Sequence, residues 1–154
     1  MKVSLFNRQK DLSITPFKKQ IEKIAQQVVA KEKALFDEVS ITFITDPVMR
    51  TMHKQYFNDP SPTDVISFPL DSPDAPGYKV LGELFICPQT AILYAKENGK
   101  KRYEELTLYI VHGLLHLLGY DDIDPKERKI MRQKERAHIK ALKDKKLLLS
   151  ANNE

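Results

Sequence analysis

An α+β fold is predicted: a small mixed four-stranded sheet packed by about five to six helices, with one apolar helix at the centre. Three observations predict it. Strand-like and helix-like periodicities interleave along the chain instead of segregating, as a sheet layered by helices requires. Two strand candidates, Val65 to Phe68 and Leu81 to Ile86, follow each other with no helix between them, so the sheet is expected to be mixed. The stretch from about Arg102 to Leu118 carries an apolar stripe wide enough that its helix must be largely buried.

The elements follow in order. Val3 to Phe6 is a short strand candidate. Thr15 and Pro16 read as an N-cap followed by proline at the first helical position, and Phe17, Ile21, Ile24 and Val28 then recur at helical spacing. Val39, Ile41 and Phe43 alternate with polar residues and predict a strand. Asp46 and Pro47 repeat the cap-then-proline signal before a helix through Met49, Met52 and Tyr56. Residues 57–63 (FNDPSPT) and 71–77 are loops by composition. Pro69 limits the strand from Val65, and Pro88 opens a helix that ends near Gly99. In the central helix, Leu106, Ile110, Leu114 and Leu117 form the core face. Asp124, Pro125 and Glu127 form a capping-box variant at the start of a charged helix that reaches at least Leu142. The whole chain, 1–154, reads as one domain, with about 143–154 expected to be a mobile C-terminal tail.

With 42 % apolar and 30 % charged residues, the composition is that of a soluble globular protein, and no apolar run reaches the length of a membrane span. The first residues, MKVSLFNRQK, contain no apolar segment like that of a signal peptide, and the single cysteine, Cys87, excludes an internal disulfide. A cytoplasmic protein without a membrane partner is expected. The positive charge is confined to one segment. Lys126 to Glu154 carries ten Lys/Arg against four Asp/Glu, whereas the rest carries 15 against 17. Such asymmetry fits a polyanionic partner, nucleic acid first, or a solvated helix face.

The chemistry concentrates in HGLLHLLGYDD, His112 to Asp122. Histidines four apart share one face of a helix and can grip one metal ion. Gly119 stops that helix and turns the chain, so Asp122 can return toward the same ion, leaving room for a water as in catalytic zinc sites. Asp121 and Asp124 are rivals for the third position, although Asp124 is more simply a helix cap. The frame is that of the metzincin zinc proteases, but Gly113 stands where their general-base glutamate would be, so that mechanism of peptide hydrolysis is unsupported. A glycine inside a helix also costs about 0.5–1 kcal/mol relative to alanine, which points to another element or a substrate passing close by. Cys87, at a strand end before Pro88, reads as a small buried residue without a catalytic role.

This segment resembles the signature of the YbeY family of metal-dependent endoribonucleases, HGxLHLxGYDH. Pro62 to Pro69, PTDVISFP, is similar to the family's PTDVLSFP, and Leu81 to Cys87, LGELFIC, to its LGDIxIC. Order and separations agree, so the resemblance covers most of the chain. Three positions depart from it. Asp122 replaces the family's third histidine, which keeps an acceptable zinc ligand but changes the charge at the metal by one unit and could favour a harder metal. Phe57 stands where the family has an arginine that serves activity, and His53 where it often has asparagine.

The resemblance implies a zincin-like site with one zinc, or another divalent metal, per chain, held by His112, His116 and Asp122. It implies a single-strand-specific endoribonuclease that takes part in 16S rRNA 3′-end maturation and late 70S ribosome quality control. The expected partners are rRNA and the ribosome or its proteins, and the expected state is a monomer. The catalytic group is a metal-bound water, with no further catalytic residue assigned. Lys100, Lys101 and Arg102, just before the ligand helix, are candidates to hold the phosphate backbone, although a solvated helix start is the slightly favoured reading. The alternatives are a non-catalytic ribosome-associated metal module, which Phe57 favours, and a metalloprotease, which Gly113 disfavours.

Overall fold

The computed structural model describes residues 1–59, 63–152 and 154. Residues 60–62 of the predicted first loop, and with them Pro62 of PTDVISFP, lie outside the described residues. The strands are β1 (Lys2–Asn7), β2 (Glu38–Phe43), β3 (Val65–Pro69) and β4 (Val80–Ile86). The helices are α1 (Lys18–Lys31), α2 (Asp46–Phe57), α3 (Pro88–Asn98), α4 (Arg102–Leu117) and α5 (Pro125–Asp144). The sheet runs β1-β2-β4-β3. Its first two pairings are parallel, and β3 is antiparallel to β4, which makes it the mixed sheet expected.

The alternation of β2 explains its packing. Val39, Ile41 and Phe43 are fully buried on the face covered by α1 and α4. Leu81, Leu84 and Ile86 of β4 join the same core, as do Ile21, Ile24 and Val28 of α1. Leu106, Ile110 and Leu114 of α4 are fully buried, each worth about 1.5–3 kcal/mol relative to exposure. A smaller cluster lies under α2, where Met49 and Met52 meet Ile66, Phe68 and Phe85, and Cys87 is buried with them.

Two predicted caps differ. Thr15 to Phe17 forms a short 3-10 turn, and Phe17 caps α1 without a side-chain bond. Asp46 lies inside α2 with the extended Thr45 before it, and its carboxylate is 2.7 Å from Arg50 one turn on. Asp124 caps α5 as predicted, accepting from the Glu127 backbone N–H at 2.8 Å. The expected mobile tail is a larger correction. The chain after α5 packs against the core: Leu149 is fully buried, its N–H donates to Thr107 Oγ1 at 3.3 Å, and Gln20 Nε2 donates to the carbonyls of Leu147 and Leu148. Three consecutive leucines, Leu147 to Leu149, supply the apolar surface that makes this docking favourable.

Candidate metal centre

His112 and His116 lie on the last two turns of α4. The helix stops where Gly119 takes φ +102°, a region glycine enters without a Cβ penalty. The Gly119 N–H donates to the His116 carbonyl and the Tyr120 N–H to that of Leu115, both at 3.0 Å. This is a Schellman closure. It reverses the chain so that Asp122 faces the two rings. His112 Nε2 and His116 Nε2 are 3.0 Å apart, and Asp122 Oδ2 is 3.4 Å from the first and 3.5 Å from the second. Ligand bonds of about 2.0–2.2 Å at tetrahedral angles separate donor atoms by about 3.3–3.6 Å; both distances to Asp122 match this and the 3.0 Å between the imidazoles is slightly shorter, so small ring movements would seat one ion among the three. Each side chain keeps some exposure, 22 % and 24 % for the histidines and 40 % for Asp122, which leaves a side open to water or substrate. Of the rival acids, Asp124 is the α5 cap and Asp121 lines the cavity beyond His116.

The group that orients His112 comes from α5. Glu135 Oε2 lies 2.8 Å from His112 Nδ1. The carboxylate keeps the proton on Nδ1 and leaves the Nε2 lone pair for a metal. Burial opposes charge on this ring, but the Glu135 hydrogen bond and charge, with Asp64 and Asp122, outweigh it and raise the His112 pKa above its ordinary value. Tyr109 lines a cavity with His112, Asp64 and Glu135, and its phenol is pushed far up by burial and the Asp64 charge, so it stays protonated.

Gly113 has a structural reason. A Cβ there would lie 2.9 Å from both Leu84 and Val65, so the close neighbour foreseen from the glycine is the sheet. Ser67 Oγ approaches the Gly113 carbonyl at 3.4 Å, which ties β3 to the ligand helix.

The cations are placed differently from expectation. Lys100 and Lys101 are exposed beyond the far end of α4, and Arg102 is 3.8 Å from Glu154. At 1.5 Å per residue, Lys101 lies about 16 Å along the helix from His112, so these three are not brought to the metal group. Instead Arg128 and Arg132 of α5 line a cavity of about 240 Å³ with His112, Asp64 and Glu135. The basic face continues through Lys129 and Arg136. These arginines repeat every four residues in a segment recognisable only as basic. Their approach to His112 depends on how α5 packs on α4.

One buried carboxylate braces the ligand loop from behind. Glu32, just past α1, accepts from Tyr120 Oη at 2.7 Å, from Lys134 Nζ at 3.2 Å and from His138 Nε2 at 2.6 Å. Burial pushes the Glu32 pKa up, but these three donors outweigh it and hold it below the ordinary carboxylate range. Burial is the largest influence on His138 and lowers its pKa, with Glu32 pulling partly back. The pair is therefore a neutral imidazole donating to a charged carboxylate. A cavity of about 560 Å³ lies beside this cluster and includes none of His112, His116 and Asp122.

The fold matches the solution structure of TM1509 from Thermotoga maritima, with a TM-score of 0.64, 22 % identity and 99 % of each chain covered. Residues 4–143 match the family model described as endoribonuclease YbeY. The chain belongs to the YbeY family. Among curated members, it is 45 % identical to the endoribonuclease YbeY of Protochlamydia amoebophila (92 % of this chain, 93 % of the relative). It is 41 % identical to that of Chlamydia felis (97 % and 96 %). His112, His116 and Asp122 together form a three-donor group that could hold a metal ion.

Proposed function

We propose that this chain is a metal-dependent endoribonuclease that hydrolyses phosphodiesters of single-stranded RNA. Its family membership supports the activity. The observation that carries the mechanism is the convergence of His112 Nε2, His116 Nε2 and Asp122 Oδ2, with Glu135 holding His112 in the ligating tautomer. Two imidazoles and a carboxylate suit zinc, one ion per chain, although a harder divalent metal is also compatible with the oxygen ligand. A bound metal would acidify water to a pKa of about 7 in favourable sites and polarise a phosphoryl oxygen. The chain's own residues supply the rest. Arg128 and Arg132 provide fixed positive charge for the phosphate backbone beside His112, while Lys100, Lys101 and Arg102 are left for more distant phosphates.

The finer reading follows the family resemblance: rRNA as substrate, in 16S 3′-end maturation and late 70S quality control, with the ribosome as partner, the cytoplasm as location and the monomer as working state. No described helix is long and apolar enough to cross a membrane. Metalloprotease activity is disfavoured because Gly113 is wedged against Leu84 and Val65, leaving no room for a glutamate. A non-catalytic ribosome-associated metal module is the second reading, favoured by Phe57 in place of the family's arginine.

The test is cleavage of 16S rRNA 3′-end transcripts by zinc-loaded protein, beside duplex RNA and a His116→Ala control. Cuts in single-stranded RNA that the variant fails to make are expected. Identical behaviour of wild type and variant overturns the catalytic reading, and ribosome co-sedimentation without cleavage supports the module.

A further inference from the structure

We propose that Phe57, backed by His53, is a stacking platform for a nucleobase next to the scissile phosphate. The inference rests on the endoribonuclease reading above. His53 and Phe57 are four apart on α2 and so share a face, which adjoins the buried Met49 of the smaller core. Their ring centroids are 5.6 Å apart, within the range of aromatic pairs. The helix end that carries Phe57 is fixed. Asn58 takes the left-handed conformation at φ 54°, and its N–H donates to the Lys54 carbonyl at 2.9 Å.

Phe57 is 54 % exposed. A lone exposed phenylalanine is ordinary on a protein surface. This one lines a cavity of about 350 Å³ together with His116 and Asp121, a size within the range of small-molecule pockets. Among the described residues, the rest of that wall is apolar or weakly polar, with Val65, Ile66, Ser67 and Pro69 and no lysine or arginine. The cavity on the His112 side carries Arg128 and Arg132 beside Asp64, Asp122 and Glu135, and the two arginines continue into a groove with Lys129 and Arg136. The metal group thus stands between a side with arginines to hold phosphate and an aromatic side where Asp121 is the charged neighbour. An uncharged base with an aromatic face fits the second, since base stacking on aromatic rings tolerates any sequence.

The experiment uses single-stranded RNA carrying 2-aminopurine at each position flanking the cleavage site, mixed with zinc-loaded protein by stopped flow so that quenching is read before cleavage. Wild type is expected to quench one flanking position. Phe57→Ala should lose the quench and bind about 5- to 150-fold more weakly, and Phe57→Trp should retain both. An abasic nucleotide at that position should erase the difference between wild type and Phe57→Ala. Circular dichroism and zinc content check that the variants are folded and loaded. Quenching that is equal in wild type and Phe57→Ala, or a Phe57→Ala defect that persists on abasic RNA, overturns the platform. Wild type that cleaves RNA without quenching any flanking base overturns the platform alone. Wild type that neither binds nor cleaves RNA overturns the underlying reading as well.

Discussion

Glu135 Oε2 sits 2.8 Å from Nδ1 of His112, joining residues 23 apart in sequence. The contact pins the imidazole and decides which nitrogen faces Asp122 and His116. Replacing such partners of metal-bound histidines typically costs 10- to 100-fold in metal affinity. Glu135→Ala is therefore expected to weaken zinc binding about 10- to 100-fold, measured by competition with a chromogenic chelator. Glu135→Gln, whose carbonyl still accepts from Nδ1, should recover part of the loss. Equal affinity in wild type and Glu135→Ala would remove Glu135 from this role.

Asp122 Oδ2 lies within 3.5 Å of Nε2 of both imidazoles. Asp122→Ala is expected to lower the bound metal well below one ion per chain. Asp122→His should restore it, because an imidazole can take the same seat. Elemental analysis after dialysis reads both. Full occupancy in Asp122→Ala would exclude Asp122 as a ligand.

Glu32 collects three donors while its side chain is only 8 % exposed. Glu32→Ala leaves Tyr120 and His138 without their acceptor and should destabilise the fold by about 1–3 kcal/mol, seen as a lower urea midpoint with the slope unchanged.

The same pair gives a pH dependence. Glu32 and His138 both have folded pKa values below their ordinary ones, so the folded chain holds fewer protons than the unfolded chain, and stability rises with pH. The contribution of His138 is present above about 6.5 and that of Glu32 above about 4.3, and each is lost as pH falls through the lower folded value. Urea midpoints should therefore fall in two stages below about pH 6.5 and about pH 4.3. Glu32→Gln is expected to flatten the lower stage and enlarge the upper one, because the charge that pulls the His138 pKa partly back is gone. A profile unchanged by Glu32→Gln would show that the carboxylate is not the titrating group.

Arg128 and Arg132 line the cavity of His112, whereas Lys100 and Lys101 lie beyond the other end of α4. Arg128→Ala with Arg132→Ala should weaken RNA binding and reduce the salt slope of log affinity by about 1.4, at about 0.7 per single-strand phosphate contact. Lys100→Ala with Lys101→Ala should change the slope less. Filter binding across a salt series compares them, and the opposite ranking would move the phosphate track to the start of α4.

The sequence alone determined whatever depends on neighbours along the chain. Helix geometry puts His112 and His116 on one face, Gly119 supplies the turn that ends the helix, and Asp124 bonds three residues ahead. All of these follow from dihedral preferences within one or two turns. The mixed four-stranded sheet was legible from periodicity, because β2 and α4 each repeat their apolar residues at the period of the element they form. Only the tertiary structure decided the rest. Glu135 and Glu32 are ordinary acids in sequence, and their roles arise because α5 packs across α4 and the end of α1. The leucines after α5 looked like a tail until the core offered them a buried seat. Phe57 looked like a lost arginine until β3 and the ligand loop closed a cavity around it. Local patterns are set by the backbone near each residue, whereas these contacts are set by how apolar faces from distant segments bury one another, which no short window of sequence contains.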